Sequence, residues 1–220
     1  MQRTARVFLV LLASGIGVAA SADSILVSDG RQIVLAGNGL GCAIEEEIFL
    51  ASAPFAPFDE SHTSIPDDPE SPWETVTASQ SSFVQADQMG GTGTASNSMS
   101  THFCSQSIFS VTFQLTASSS YDFDATLVTD AGFEPGFGSV RLTGSNGTEF
   151  DYSFGNGPLD VQESGVLPAG EYTLYLLADS YGGTATWEFA FQLVPEPASA
   201  ALLAVGLVSL GARRGNGARA

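Results

Sequence analysis

The segment Phe109-Ser110-Val111-Thr112-Phe113-Gln114-Leu115 decides the fold. Its large apolar residues alternate with Ser110, Thr112 and Gln114, a period of two that puts them on one face of an extended strand. The pattern returns three times. Tyr121, Phe123, Ala125 and Leu127 alternate with Asp122, Asp124 and Thr126, and Phe150, Tyr152 and Phe154 with Asp151 and Ser153. Trp187, Phe189, Phe191 and Leu193 alternate with Glu188, Ala190 and Gln192. Aromatic and β-branched side chains suit such half-buried pleated surfaces. Gly144-Ser145-Asn146-Gly147, Gly155-Asn156-Gly157 and Tyr181-Gly182-Gly183 read as the turns between strands. Pro168-Ala169-Gly170 introduces a further strand, Glu171 to Leu177, whose more continuous apolar character predicts a central position. Short strands with frequent turns and no strongly amphipathic helix predict an all-β fold, an antiparallel β-sandwich of jelly-roll type.

Upstream of Trp73 the pattern is mixed. Ser24 to Val27 and Gln32 to Ala36 read as strands, with Asp29-Gly30 as a hairpin-type turn between them. Ala43 to Leu50 carries Glu45-Glu46-Glu47 between Ile44 and Ile48, and periodicity allows either a helical turn or a strand. From Pro54 to Pro72, five prolines and five acidic residues predict a surface loop or linker. Ser/Thr-dense stretches at Thr75 to Ser82, Gly91 to Thr101 and Thr116 to Ser120 read as glycosylation sites or flexible turns. Asn146-Gly147-Thr148 fits the N-glycosylation sequon.

The two ends read as addresses, outside the fold. Arg3 and Arg6 precede an apolar run from Val7 to Val18, and Ala20-Ser21-Ala22 supplies small residues at a cleavage spacing. This predicts a signal peptide over residues 1–22, cut after Ala22 with Ala20 as the competing site. At the other end, Pro195-Glu196-Pro197 is followed by an uncharged run from Ala198 to Ala212, then Arg213-Arg214. A rigid breaker, an apolar stretch and a basic stop suit a helix held in a bilayer with its cationic end on the cytoplasmic side. The alternative, an ordinary helix packed on the core, fits poorly. The apolar residues lie all round such a helix, and Gly206 and Gly211 weaken it in water.

This tail resembles a PEP-CTERM sorting domain, with Pro195, Glu196, Pro197, Arg213 and Arg214 as its motif. It departs from the family in the six residues, Gly215 to Ala220, that follow the arginine pair. The resemblance implies an exosortase as partner, transient anchoring in the inner membrane by a single transmembrane helix, and association with exopolysaccharide or biofilm matrix. Leu167 to Leu174 also resembles a late hairpin of secreted bacterial sandwich domains, carbohydrate-binding modules among them. The expected organisation is a signal peptide (1–22), N-terminal strands with an acidic Pro-rich loop (23–72), a β-sandwich (73–194) and a sorting segment (195–214).

Charge narrows the partners. Of 24 acidic residues only Glu196 lies outside residues 23–194, which hold just two cations, Arg31 and Arg141, and no Lys. Such a segment repels nucleic acid and anionic lipid. Its charge serves solubility in a saline setting, or attracts divalent cations and cationic partners. Cys42 and Cys104 are the only cysteines, and an exported chain predicts a disulfide between them. Two histidines, His62 and His102, with no nucleophile elbow, zinc signature or phosphate loop, argue against catalysis.

No cofactor is expected, calcium being the one candidate. Asp122, Asp124 and Asp130 form its best ligand set together with Glu134, and Asp59, Glu60, Asp67, Asp68 and Glu70 form a second cluster. A solvated outer face is the alternative reading. Trp73, Tyr181 and Phe137 sit beside expected loops, where they either stack on sugar rings or cap the core. The functional expectation is an exported structural or adhesive protein of the cell surface or extracellular matrix, and not an enzyme. A carbohydrate-binding module and an envelope hydrolase are the alternatives.

Overall fold

Alternation in the sequence becomes alternation of burial in space. The computed structural model describes residues 24–36, 46–65, 75–98, 103–130 and 136–194. Among them are thirteen strands and no helix. They are β1 (Ser24–Asp29), β2 (Gln32–Ala36), β3 (Glu46–Leu50), β4 (Phe58–Ser64), β5 (Val76–Val84), β6 (Gln88–Asn97) and β7 (Cys104–Leu115), then β8 (Ser119–Thr129), β9 (Phe137–Gly144), β10 (Gly147–Phe154), β11 (Gly157–Leu167), β12 (Gly170–Ser180) and β13 (Thr184–Val194). They form two antiparallel sheets. Sheet A runs β10-β9-β12-β7-β2-β3, with β1 also on β7, and sheet B runs β11-β8-β13-β6-β5-β4. β1 to β3 lie in sheet A and β4 in sheet B, so the described strands before and after residue 73 share one sandwich.

The core lies between the sheets, where β7 and β12 face β6 and β13. Phe109, Val111, Phe113 and Leu115 are buried there with Phe123, Leu127, Leu174, Leu176, Trp187, Phe189 and Phe191. Phe109 meets Phe189 edge-on with ring centres 4.6 Å apart, and Phe123 lies 4.9 Å from Phe150. The Trp187 indole N–H donates to the Ser107 carbonyl at 3.1 Å, so the largest core side chain leaves no unpaired donor. Its ring lies directly against Gly93, where a Cβ would come within 2.4 Å of it. A smaller cluster of Ile33, Leu35, Phe58, Val76, Ala78 and Phe103 fills the opposite side of the sandwich.

Three expectations need correction. Asp29-Gly30 is not a hairpin, because β1 and β2 run in the same direction along one edge of β7, against Val111–Leu115 and Cys104–Ile108 respectively. The link is a jog, not a reversal. Arg31 turns inward beside it, buried to 1% exposure. Its Nε and Nη2 donate to Asp29 Oδ1 and Oδ2 at 2.9 and 2.6 Å. Nη2 also reaches the Ala56 carbonyl at 2.6 Å, and Nη1 the Ser82 carbonyl at 3.3 Å. Burial raises the Asp29 pKa, but hydrogen bonds from Arg31 and from the Phe55 and Arg31 amides outweigh it and hold the carboxyl below its ordinary value.

The other two corrections concern polar stretches. Within the Pro-rich stretch, Phe58–Ser64 is an edge strand paired with β5, anchored by the buried Phe58. The Ser/Thr-dense segments at Thr75 to Ser82 and Gly91 to Thr101 lie largely in β5 and β6, with Val76, Ala78 and Ala95 inward. Only Thr116 to Ser120 is the expected turn at its start. The ambiguous segment Ala43 to Leu50 ends in a strand, β3.

Residues 1–23 and 195–220, which carry the expected signal peptide and the Pro195, Glu196, Pro197, Arg213 and Arg214 motif, lie outside the described residues. No helix among the described residues is long and apolar enough to cross a membrane.

Candidate functional site

The pleat that buries one face of sheet B turns the other outward, and that face is the candidate site. Register aligns its side chains in rows across six strands. Asp59 pairs with Ser81, Ser81 with Thr92, Thr92 with Glu188, Glu188 with Thr126, and Thr126 with Asp160. All six residues are exposed. A neighbouring row, Ser61, Ser79, Thr94, Thr186 and Val128, is mainly hydroxyl. On the other side lie Phe83, Gly90, Ala190, Asp124 and Gln162.

The face is indented along its length. A depression of about 300 Å³ lies over Asp124, Thr126, Asp160, Gln162 and Glu188. Another of about 150 Å³ lies over Thr92, Thr94, Thr126, Thr186 and Glu188. A third, of about 390 Å³, lies over Pro57, Asp59, Ser81, Phe83 and Thr92. The first two share Thr126 and Glu188 and the last two share Thr92, so they lie side by side as a shallow, open groove across the strands.

Two features give the groove its chemistry. Phe83 is 41% exposed, and its ring rests on Gly90, where a Cβ would come within 2.9 Å of it. Glycine therefore seats an exposed aromatic ring beside the hydroxyl rows. The second feature is charge. Asp59, Asp124 and Glu188 make no side-chain hydrogen bond among the described residues, whereas Asp160 Oδ1 accepts one from Thr126 Oγ1 at 2.8 Å. No described cation balances them: Arg31 is buried, and Arg141 sits on sheet A, 5.6 Å from the Tyr175 ring. The groove offers hydrogen-bond acceptors, hydroxyls and one aromatic platform.

The residues singled out from sequence are scattered. Asp122 and Asp124 share the outer face of β8. Asp130 lies six residues beyond Asp124, about 20 Å along the strand, so the three do not converge on one ion. Glu134, Asp67, Asp68 and Glu70 lie outside the described residues, and among those described no group of three acidic, His or Cys side chains is placed to hold a metal.

Trp73, Cys42 and His102 also lie outside them. Cys104 is buried at the start of β7 and is not a free thiol. His62 stacks on Phe49 with ring centres 3.5 Å apart, bridging β4 and β3, with Glu60 Oε2 at 3.2 Å from its Nε2. Tyr181 is half-buried past the end of β12 and Phe137 begins β9, both away from the groove.

Tyr181 has another role, as a partner of Asp179. That carboxyl is 7% exposed, and burial pushes its pKa from 3.8 up to about 6. Hydrogen bonds from Gln106, Tyr181 and the Ser180 amide act in the opposite direction, and Oδ1 has no partner. Sequence reading missed Phe83, the groove's aromatic residue. Val76, Ala78 and Val84 mark the inward face of β5, and the odd-numbered Phe83 falls on the other.

No family model matches the chain, and no curated protein does. Among solved structures, the chain is similar to the enzymatically active domain of bacteriophage CBA120 tailspike protein 4, at 11% identity and a TM-score of 0.32 over 62% of this chain. It spans about a fifth of that protein's length, 19%. It is also similar to TmCBM61, solved with β-1,4-galactotriose, at 8% identity and a TM-score of 0.27 over 64% of this chain and 88% of that one. A third is a carbohydrate binding module of Cellvibrio mixtus lichenase 5A, solved with cellotriose, at 13% identity and a TM-score of 0.26 over 52% of this chain and 86% of that one.

Proposed function

We propose that this chain is an exported adhesive protein of the cell surface or extracellular matrix, which holds polysaccharide in the groove on sheet B and catalyses nothing. The observation that carries this is the groove itself, where an exposed Phe83 ring on Gly90 lies beside rows of Ser, Thr and carboxylate side chains. Sugar rings present apolar faces and hydroxyl edges together. An aromatic platform answers the first, and carboxylates and hydroxyls answer the second. Export and matrix association rest on the two ends of the sequence. In this reading Pro195-Glu196-Pro197 and Arg213-Arg214 address the chain to an exosortase, and Cys42 pairs with Cys104 after export.

Affinity electrophoresis through gels containing soluble matrix polysaccharides tests the binding. Retardation should fall in Phe83→Ala by several-fold, while the unfolding midpoint drops only modestly, since the ring is 41% exposed and its packing partner is Gly90. Equal retardation of the variant and the parent would remove the site. Deleting residues 195–220 tests the address: the truncated protein should leave the envelope fraction, and unchanged fractionation would refute the sorting role.

A further inference from the structure

We infer that the occupant of the groove is a linear, uncharged polysaccharide lying across the strands along Asp59, Ser81, Thr92, Glu188, Thr126 and Asp160, and that anionic glycans are excluded. This rests on the glycan-binding reading above and names its ligand. Six adjacent strands at about 4.8 Å spacing give a row about 24 Å long, enough for several sugar units laid end to end. The row is continuous through all three depressions, so the groove follows it and not the strand axes. A branched or globular glycan would not use that shape. An extended chain would.

The polarity of the row sets the chemistry. Asp59 and Glu188 have no protein partner among the described residues and can accept hydrogen bonds from sugar hydroxyls. Thr126 is already turned toward Asp160, which fixes that carboxylate in place before a ligand arrives. Charge-assisted hydrogen bonds of this kind suit an alcohol donor. A uronate or sulfate would bring a like charge within a few ångströms of Glu188 and Asp160. Both described arginines are elsewhere, one buried against Asp29 and one over Tyr175, so nothing on this face offsets that repulsion.

Titration calorimetry of the full chain against neutral gluco-, manno- and xylo-oligosaccharides of increasing length, and against polygalacturonate, reads the inference directly. Affinity for at least one neutral series should rise with length and level off once the chain spans the row. Polygalacturonate should not bind at low ionic strength or at about 0.15 M. Glu188→Gln should weaken the neutral ligand about tenfold with no change in the unfolding midpoint.

Polygalacturonate binding as tight as the neutral chains would overturn the charge selection and leave glycan binding standing. Affinity independent of length would overturn the orientation across the strands. Silence toward every glycan would sink the glycan reading itself.

Discussion

Replacing Asp179 by Asn should stabilise the sandwich above pH 6 and do nothing through charge below pH 4. The folded pKa is raised from 3.8 to about 6. Below pH 3.8 the carboxyl is protonated in both folded and unfolded chains and carries no penalty. Between 3.8 and about 6 the folded protein keeps a proton that the unfolded chain releases, so stability falls as pH rises. Above about 6 both states are ionised and the full cost of burying the charge is present. The interval corresponds to about 3 kcal/mol at 1.36 kcal/mol per pH unit, an upper bound because a 7% exposed site still relaxes.

Asn keeps an acceptor for Tyr181 and Gln106 and presents no charge. Urea unfolding of both proteins at pH 4, 5, 6 and 7.5, followed by tryptophan fluorescence, gives the difference in stability at each pH. The difference should grow from near zero to between about 1 and 3 kcal/mol with little change in denaturant slope. Lost hydrogen bonds would add the same offset at every pH, so the pH-dependent part isolates the charge. A difference that is flat with pH, or that grows on acidification, would refute the reasoning.

Arg31→Met should cost about 3–5 kcal/mol, because it strands the Asp29 carboxylate in a buried jog. Arg31→Met with Asp29→Leu should recover much of that loss, and comparison of their unfolding midpoints checks it. Gly93→Ala drives a methyl group into the Trp187 ring and should lower stability by about 1–3 kcal/mol, whereas Gly155→Ala, with open space around it, should sit within about 0.5 kcal/mol of the parent. The proposed Cys42–Cys104 bridge closes a loop of about 60 residues and should contribute about 4 kcal/mol. Mass spectrometry under non-reducing conditions should find no free thiol, and two alkylated cysteines would refute the bridge.

The strands that sequence reading places correctly are those whose apolar residues are large. β7, β8 and β13 carry Phe, Trp, Tyr, Leu or Val at nearly every second position, Ala125 being a small exception, and the alternation survives any reasonable scale of hydrophobicity. β5 and β6 escape notice because Ala78, Gln80, Ser82 and Ala95 are the residues that turn inward, among them buried polar groups. Small inward side chains are what let Arg31 and Trp187 reach across, so the weak signal and the close packing have one cause. β4 is hidden by flanking prolines, although proline excludes only the residues it occupies and Phe58 to Ser64 contains none. The jog at Asp29-Gly30 could not be read locally. Its direction is set by β7, some 80 residues later in the chain. Asp122 and Asp124 share the outer face of β8 by parity, but Asp130 lies beyond the strand's end and distance separates it from them. Phe83 was open to the same parity argument.

The place of β13 between β6 and β8 bears on how this protein would carry load. A pull applied beyond Val194 acts along the axis of an interior strand, perpendicular to its ladders on both sides. Such a strand cannot be peeled open one rung at a time from a free margin. Both ladders must slip together, as in a lap joint, so tension entering at that end would be shared across sheet B under the groove. An edge strand in the same position would unzip under far smaller force.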